Sequence, residues 1–173
     1  MECMLFRHGI AVERDEWEGD DGDRPLTEKG AKRVAQAAAG LRWLEAEPTH
    51  VWSSPLARAR ETADILQAAL GLRAEVRQVD ELLPEAPPDR LLSLLQELPS
   101  DACVVCVGHE PQLGLAASVL LAGKPSMAFR FKKAGACLIE LPAPPKPGRG
   151  VLRWWMEPSQ LRVLGKRRAK VEA

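Results

Sequence analysis

The sequence predicts an α/β protein, a three-layer α/β/α sandwich whose central sheet is mostly parallel with an antiparallel edge. Two observations lead there. Four times between residues 3 and 121 a short apolar run meets a turn signal and is followed by apolar residues at helical spacing. That alternation builds a parallel sheet with helices on both faces. Beyond residue 126 strand-like runs follow one another with no long helix between them, as at an antiparallel edge.

Composition agrees with a folded protein. The 173 residues are 46% hydrophobic and 28% charged, enough for one domain, residues 1–165, followed by a basic tail at 166–173. Lys+Arg and Asp+Glu balance at 24 each, so no overall charge draws the chain to nucleic acid or to a membrane surface. The first apolar run is one strand long and ends in a charge, unlike a signal peptide. No apolar run approaches the roughly 20 residues of a membrane span. Cys3, Cys103, Cys106 and Cys137 lie in apolar runs. Cys103 and Cys106 have the spacing of a metal or redox pair, but positions i and i+3 of a strand face opposite sides. Buried thiols in a reducing cytoplasm are the expectation.

Taken in order, Cys3–Phe6 is a strand buried on both faces, stopped by Arg7-His8-Gly9. Residues 10–25 form an acidic loop with Glu13, Asp15, Glu16, Glu18, Asp20, Asp21 and Asp23. It lacks the ligand spacing of an EF-hand, and a solvated loop is the preferred reading over a selectivity rim beside a cationic pocket. Thr27 caps a helix from about Glu28 to Leu44, with Ala31, Val34, Ala35, Ala38, Leu41 and Leu44 as its apolar stripe and Gly30 and Gly40 as weak points.

His50–Ser54 is the second strand. Ser54 as N-cap with Pro55 at the first helical position starts a helix that Gly71 ends. Glu75–Val79 is a weaker third strand, followed by Asp80-Glu81-Leu82-Leu83 and a helix capped by Asp89. Ala102–Val107 is the clearest buried strand, ending in Gly108-His109-Glu110-Pro111, with a helix from about Pro111 to Leu121. Met127–Phe131, Gly135–Leu141 and Val151–Met156 read as strands, the last two joined by a Pro- and Gly-rich link over 142–150. Trp154 and Trp155 either stack on a ligand or, more in keeping with a strand, cover a sheet face. Leu161, Val163 and Leu164 form a short docking segment before a solvated tail with Lys166, Arg167, Arg168 and Lys170.

In open α/β sheets ligands bind at the carboxyl ends of the strands. Those ends supply Arg7, His8, Glu81 and His109, and nearby helix and loop starts add Arg58 and Arg24. Such cations repel one another unless an anion sits among them, and guanidinium forks match phosphoryl oxygens. Neither a P-loop nor a dinucleotide fingerprint is present, and no His/Asp set has metal-ligand spacing, so no cofactor or metal is expected. The residues themselves lead to an anion pocket with two histidines.

Arg7-His8-Gly9, then Ser54-Pro55-x-x-Arg58-Ala59-x-x-Thr62, then Gly108-His109, resembles the histidine phosphatase superfamily with its phosphoglycerate mutase-like fold. Arg24-Pro25-Leu26-Thr27 and the short length look most like its bacterial phosphohistidine phosphatase branch, the SixA proteins. By that resemblance His8 is the nucleophile, transiently phosphorylated, while Arg7, Arg58 and His109 hold the phosphoryl oxygens and Arg24 reaches in from the loop. Larger members carry an acidic proton donor after the third strand. Glu81 stands roughly there, the alternative being a surface carboxylate. No segment is long enough to roof the pocket, and an open site suits a phosphorylated protein side chain, as on a histidine phosphotransfer domain. The competing readings are a phosphomonoesterase acting on a small phosphorylated substrate at the same site, and a non-catalytic module that binds phosphoproteins.

Overall fold

In the computed structural model the chain is described over residues 1–44 and 47–171, the side chains of 167–171 excepted. Its elements are β1 (Glu2–Arg7), α1 (Glu28–Leu41), β2 (His50–Ser53), α2 (Ala57–Leu70), β3 (Val76–Gln78), α3 (Pro88–Leu95), β4 (Cys103–Gly108), α4 (Gln112–Ala122), β5 (Ala136–Glu140), β6 (Val151–Met156) and α5 (Pro158–Val171). The sheet runs β3-β2-β4-β1-β5-β6. Its first four strands are parallel; β5 lies antiparallel to β1, and β6 to β5.

Strand alternation divides the core in two. Cys3, Leu5, Val104, Cys106, Cys137 and Ile139 face α3 and α4. Met4, Phe6, Val51, Val105, Val107 and Leu138 face α1, α2 and α5. Both central strands are buried on both faces, which is why they read as unbroken apolar runs. All four cysteines are buried free thiols. Trp154 and Trp155 cover opposite faces of the sheet, Trp155 stacking on Phe131 with ring centroids 4.1 Å apart.

Several boundaries depart from the sequence reading. Ser54 does not cap α2, which begins at Ala57 after Leu56. The Ser54 N–H extends the sheet to the Val107 carbonyl at 2.9 Å, so the chain stays extended longer than the Ser-Pro signal implies. Asp89 lies in the first turn of α3, behind the cap at Pro87. Met127–Phe131 is a loop, not a strand, because its polar groups find side-chain partners: the Phe131 N–H donates to Glu110 Oε1 at 3.0 Å and its carbonyl accepts from Arg7.

On α1, Ala37 is buried where Ala35, assigned to the stripe, is exposed. Gly30 and Gly40 are contact points rather than weak points, since a Cβ there would strike the Ile10 and Leu161 carbonyls. Helix α5 crosses α1 at Gly40 and Gly165, buries Leu161 and leaves Val163 exposed. It runs on through Val171, taking in Lys166, Arg167, Arg168 and Lys170, which the sequence reading set apart as a tail. The side chains past Lys166, and residues 172 and 173, lie outside the described residues.

Candidate active site

The register of two parallel strands creates the site. Arg7 on β1 pairs with Gly108 on β4, so the next residues, His8 and His109, leave the sheet side by side. The His8 N–H donates to the Gly108 carbonyl at 3.0 Å. The two imidazoles stand with centroids 4.8 Å apart and planes inclined at 51°. One strand further, Ser54 at the end of β2 shares a hydrogen bond of 2.9 Å between its Oγ and His109 Nε2. Both histidines are buried, at 6% and 2% exposure.

His8 Nδ1 lies 2.7 Å from the carbonyl of Gly9. A carbonyl can only accept, so Nδ1 carries the proton and Nε2 keeps its lone pair. Burial pushes the His8 pKa down to about 3; the Gly9 bond partly opposes this, and the charges of Arg58, Arg7 and Lys133 add to it. Burial, then His8, Arg58, Arg7 and Arg24, push His109 down to about 2. Both rings are therefore neutral near pH 7, and a neutral imidazole with a free nitrogen is a competent nucleophile.

The turn after β1 is tied to α2. The Gly9 N–H donates to Thr62 Oγ1 at 3.1 Å, and that hydroxyl donates to the Arg58 carbonyl at 2.7 Å. On the other side, the N–H of Ala134, in a left-handed conformation at φ 63°, reaches the carbonyls of both Arg7 and His8. The chain carrying the histidine is thus held from both flanks.

Arg7 donates to the Phe131 carbonyl through NH1 at 2.6 Å, while its Nε is buried with no hydrogen-bond partner. Leaving such a donor unpaired costs about 1–3 kcal/mol, which a ligand oxygen would recover. Burial lowers the Arg7 pKa and Glu110 raises it; burial lowers that of Arg58 and Asp21 raises it. Both guanidinium groups stay charged at any ordinary pH.

Asp21 is the feature that reading the sequence missed. The acidic loop is not simply solvated: Arg58 donates to the Asp21 carbonyl at 2.8 Å and to its Oδ2 at 3.1 Å, and Arg24 donates through Nε to Oδ1 at 2.9 Å. Partial burial raises the Asp21 carboxyl pKa, but the Arg24 bond and the charges of Arg58 and Arg24 outweigh it and hold it below the usual carboxylate range. The cation cluster thus contains an anion of its own. The available signal was Asp21 standing three residues before Arg24 in a loop that must lie against a cationic site. Lys133, whose charge also lowers the His8 pKa, lies between the two runs read as strands and was not singled out.

The structure brings His8, His109, Arg7, Arg24 and Arg58 together. Glu81 stands on the same edge, half-buried, in a single 3-10 turn over Asp80–Leu82. Its backbone carbonyl accepts from Gln112 Nε2 at 2.8 Å, and among the described residues its carboxylate has no hydrogen-bond or ion-pair partner. Among the described residues no group of three or more His, Cys, Asp or Glu is placed to hold a metal ion.

The sequence model of the histidine phosphatase superfamily (branch 1) matches residues 3–86. A protein of Picosynechococcus sp. (strain ATCC 27264 / PCC 7002 / PR-6), itself uncharacterised, is 42% identical over 138 residues, which is 78% of this chain and 82% of that protein. The solved structure of the protein histidine phosphatase SixA complexed with tungstate superposes with a TM-score of 0.81 at 27% identity, over 93% of this chain and 99% of that one. A putative phosphohistidine phosphatase SixA from Nakamurella multipartitia superposes with a TM-score of 0.70 at 25% identity, over 91% and 95% of the two chains.

Proposed function

This chain belongs to the histidine phosphatase superfamily, in its SixA-like branch, and on that footing we propose that it removes phosphoryl groups from phosphohistidine on a partner protein by way of a phosphohistidine formed on its own His8. The observation that carries the reading is the His8 tautomer: Nδ1 is committed to the Gly9 carbonyl, and a buried neutral ring keeps its Nε2 lone pair beside His109, Arg7 and Arg58.

In the first step that lone pair attacks phosphorus. The bond from phosphorus to the substrate's ring nitrogen breaks, and the electron pair leaves with an imidazole already protonated on its other nitrogen. Arg7 and Arg58 hold the equatorial oxygens, and His109 donates a hydrogen bond to one of them, where charge gathers in the transition state. In the second step water attacks the phosphoryl group on His8. The phosphorus–nitrogen bond returns its pair to Nε2, and inorganic phosphate leaves with the water's oxygen.

These steps need no metal ion, because the guanidinium groups supply the positive field. They need no acid from Glu81 either, since imidazole is a better leaving group than an alkoxide. The reading places the enzyme in the cytoplasm, a compartment that keeps cysteines as thiols. Acting on a small phosphate ester at the same site, the enzyme would require Glu81 or another acid for the departing alkoxide.

Rapid quench with a phosphorus-labelled histidine phosphotransfer domain tests the proposal. Label should appear on the wild-type chain as an acid-labile, base-stable adduct and be absent from His8→Ala, whose turnover should fall to background with the fold intact. Steady turnover with no labelled enzyme would overturn the covalent route, and phosphate binding without turnover would point to a binding module.

A further inference from the structure

Arg7 lines a groove of about 640 Å³ that neither His8 nor His109 lines; its other walls are Glu110 and Pro111 just before α4, the 127–132 loop, and Glu157 just before α5. We propose that this groove receives the surface of the substrate protein next to its phosphorylated histidine, and that it selects an apolar side chain flanked by a carboxylate. The proposal rests on the phosphohistidine reading above and adds what recognises the partner.

Shape comes first. The groove is open to solvent. Small-molecule sites enclose most of their ligand, whereas a trough of this kind suits part of a larger surface. Its contiguity with the catalytic pocket through Arg7 means that whatever lies in it is attached to, or directly beside, the group being dephosphorylated.

The lining then sets the chemistry. Phe131 is buried and stacked on Trp155, forming a rigid apolar base. Met127 stands at the lip with half its surface exposed, the adaptable kind of side chain that moulds to a partner's apolar residue. The charges are not equivalent. Lys132 and Glu157 satisfy each other at 2.7 Å, and Glu110 is occupied by the Phe131 N–H. Arg130, exposed on the same loop, has no ion pair among the described residues. It is an exposed cation at the groove with no ion pair among those residues, and the complementary group is a carboxylate. The loop is not loose, because Phe131 is pinned through its carbonyl by Arg7 and through its N–H by Glu110. A partner seated here rests on the same residue that holds a phosphate-binding arginine.

The test compares the wild type with the double variant Met127→Ser/Arg130→Gln on two substrates, a phosphorylated histidine phosphotransfer domain and p-nitrophenyl phosphate. Both substitutions are on exposed side chains of a loop. The expected result is a KM for the domain raised about tenfold or more with kcat little changed, which is about 1.4 kcal/mol of docking energy, and a kcat/KM for the aryl ester within about twofold of wild type. Equal losses on both substrates, or no loss on either, overturn the groove while leaving the phosphohistidine reading standing. A wild-type enzyme that hydrolyses the aryl ester but not the domain overturns both.

Discussion

His8 and His109 are buried as neutral rings, and that has a cost that depends on pH. Their pKa values of about 3 and about 2 lie below the 6.5 of an exposed histidine. Between pH 6.5 and 3 the unfolded chain therefore binds protons that the folded chain cannot. Stability is full above pH 6.5 and declines as the pH falls toward 3, by about 2 kcal/mol per ring at pH 5. Urea unfolding at pH 7 and pH 5 should show this loss, and His109→Asn should about halve it.

Asp21 is the other residue whose effect can be anticipated. It holds both terminal nitrogens of Arg58 and one nitrogen of Arg24. Asp21→Ala removes the carboxylate from both guanidinium groups, leaving Arg58 on the main-chain carbonyl of residue 21 and Arg24 on the Val12 carbonyl, and kcat/KM should fall about tenfold, the worth of one charge-assisted hydrogen bond. Asp21→Asn keeps one of the two side-chain acceptor oxygens and should lose less; steady-state kinetics on one small ester separates the two. At this scale the histidines and Arg58 were legible because each follows a strand or opens a helix in a recognisable motif. Asp21 was not, because its spacing from Arg24 is nearly shared by Asp20, and only the fold brings Arg58 against one of the two.

Helix α5 owes its seat to two missing side chains. Gly40 and Gly165 let the backbones of α1 and α5 touch, and a methyl group on Gly40 would meet the Leu161 carbonyl. Alanine is the better helix former by about 1 kcal/mol, yet Gly40→Ala should destabilise the protein by about 1–3 kcal/mol, because backbone cannot move aside as a side chain can. Chemical denaturation reads the sign directly: a more stable variant would show that the crossing has slack.

The same crossing explains part of what the sequence concealed. Glycine in a helical pattern reads as weakness when its contact is a helix more than a hundred residues away. Strands β1, β4 and β6 were legible because apolar runs and alternation are local signals. The Met127–Phe131 loop was not, since it is shaped by Arg7 and Glu110, which arrive from elsewhere in the chain. The start of α2 was misplaced for a related reason: Ser54, a ready helix cap in isolation, has its N–H paired with β4 and its hydroxyl with His109.

At the scale of the molecule, three neighbouring parallel strands deliver Ser54, His109 and His8 in a row, and the helices and loops around that edge supply the cations. The fold class and this gathering at the carboxyl edge follow from the order of elements, so they were readable before any coordinates. The groove beside Arg7 was not, because it depends on how a loop closes over α4. The sheet has a further consequence. Its apolar strands keep all four sulfur atoms inside, and burial, with Glu2 adding to it, raises the Cys103 pKa to about 12. Peroxide and alkylating reagents thus find no accessible thiolate, and the proposed reactive atom is a ring nitrogen they do not consume. Native enzyme treated with iodoacetamide or mild peroxide and then assayed on an aryl phosphate should keep its full rate, so dephosphorylation here would continue under oxidant stress that silences phosphatases dependent on cysteine.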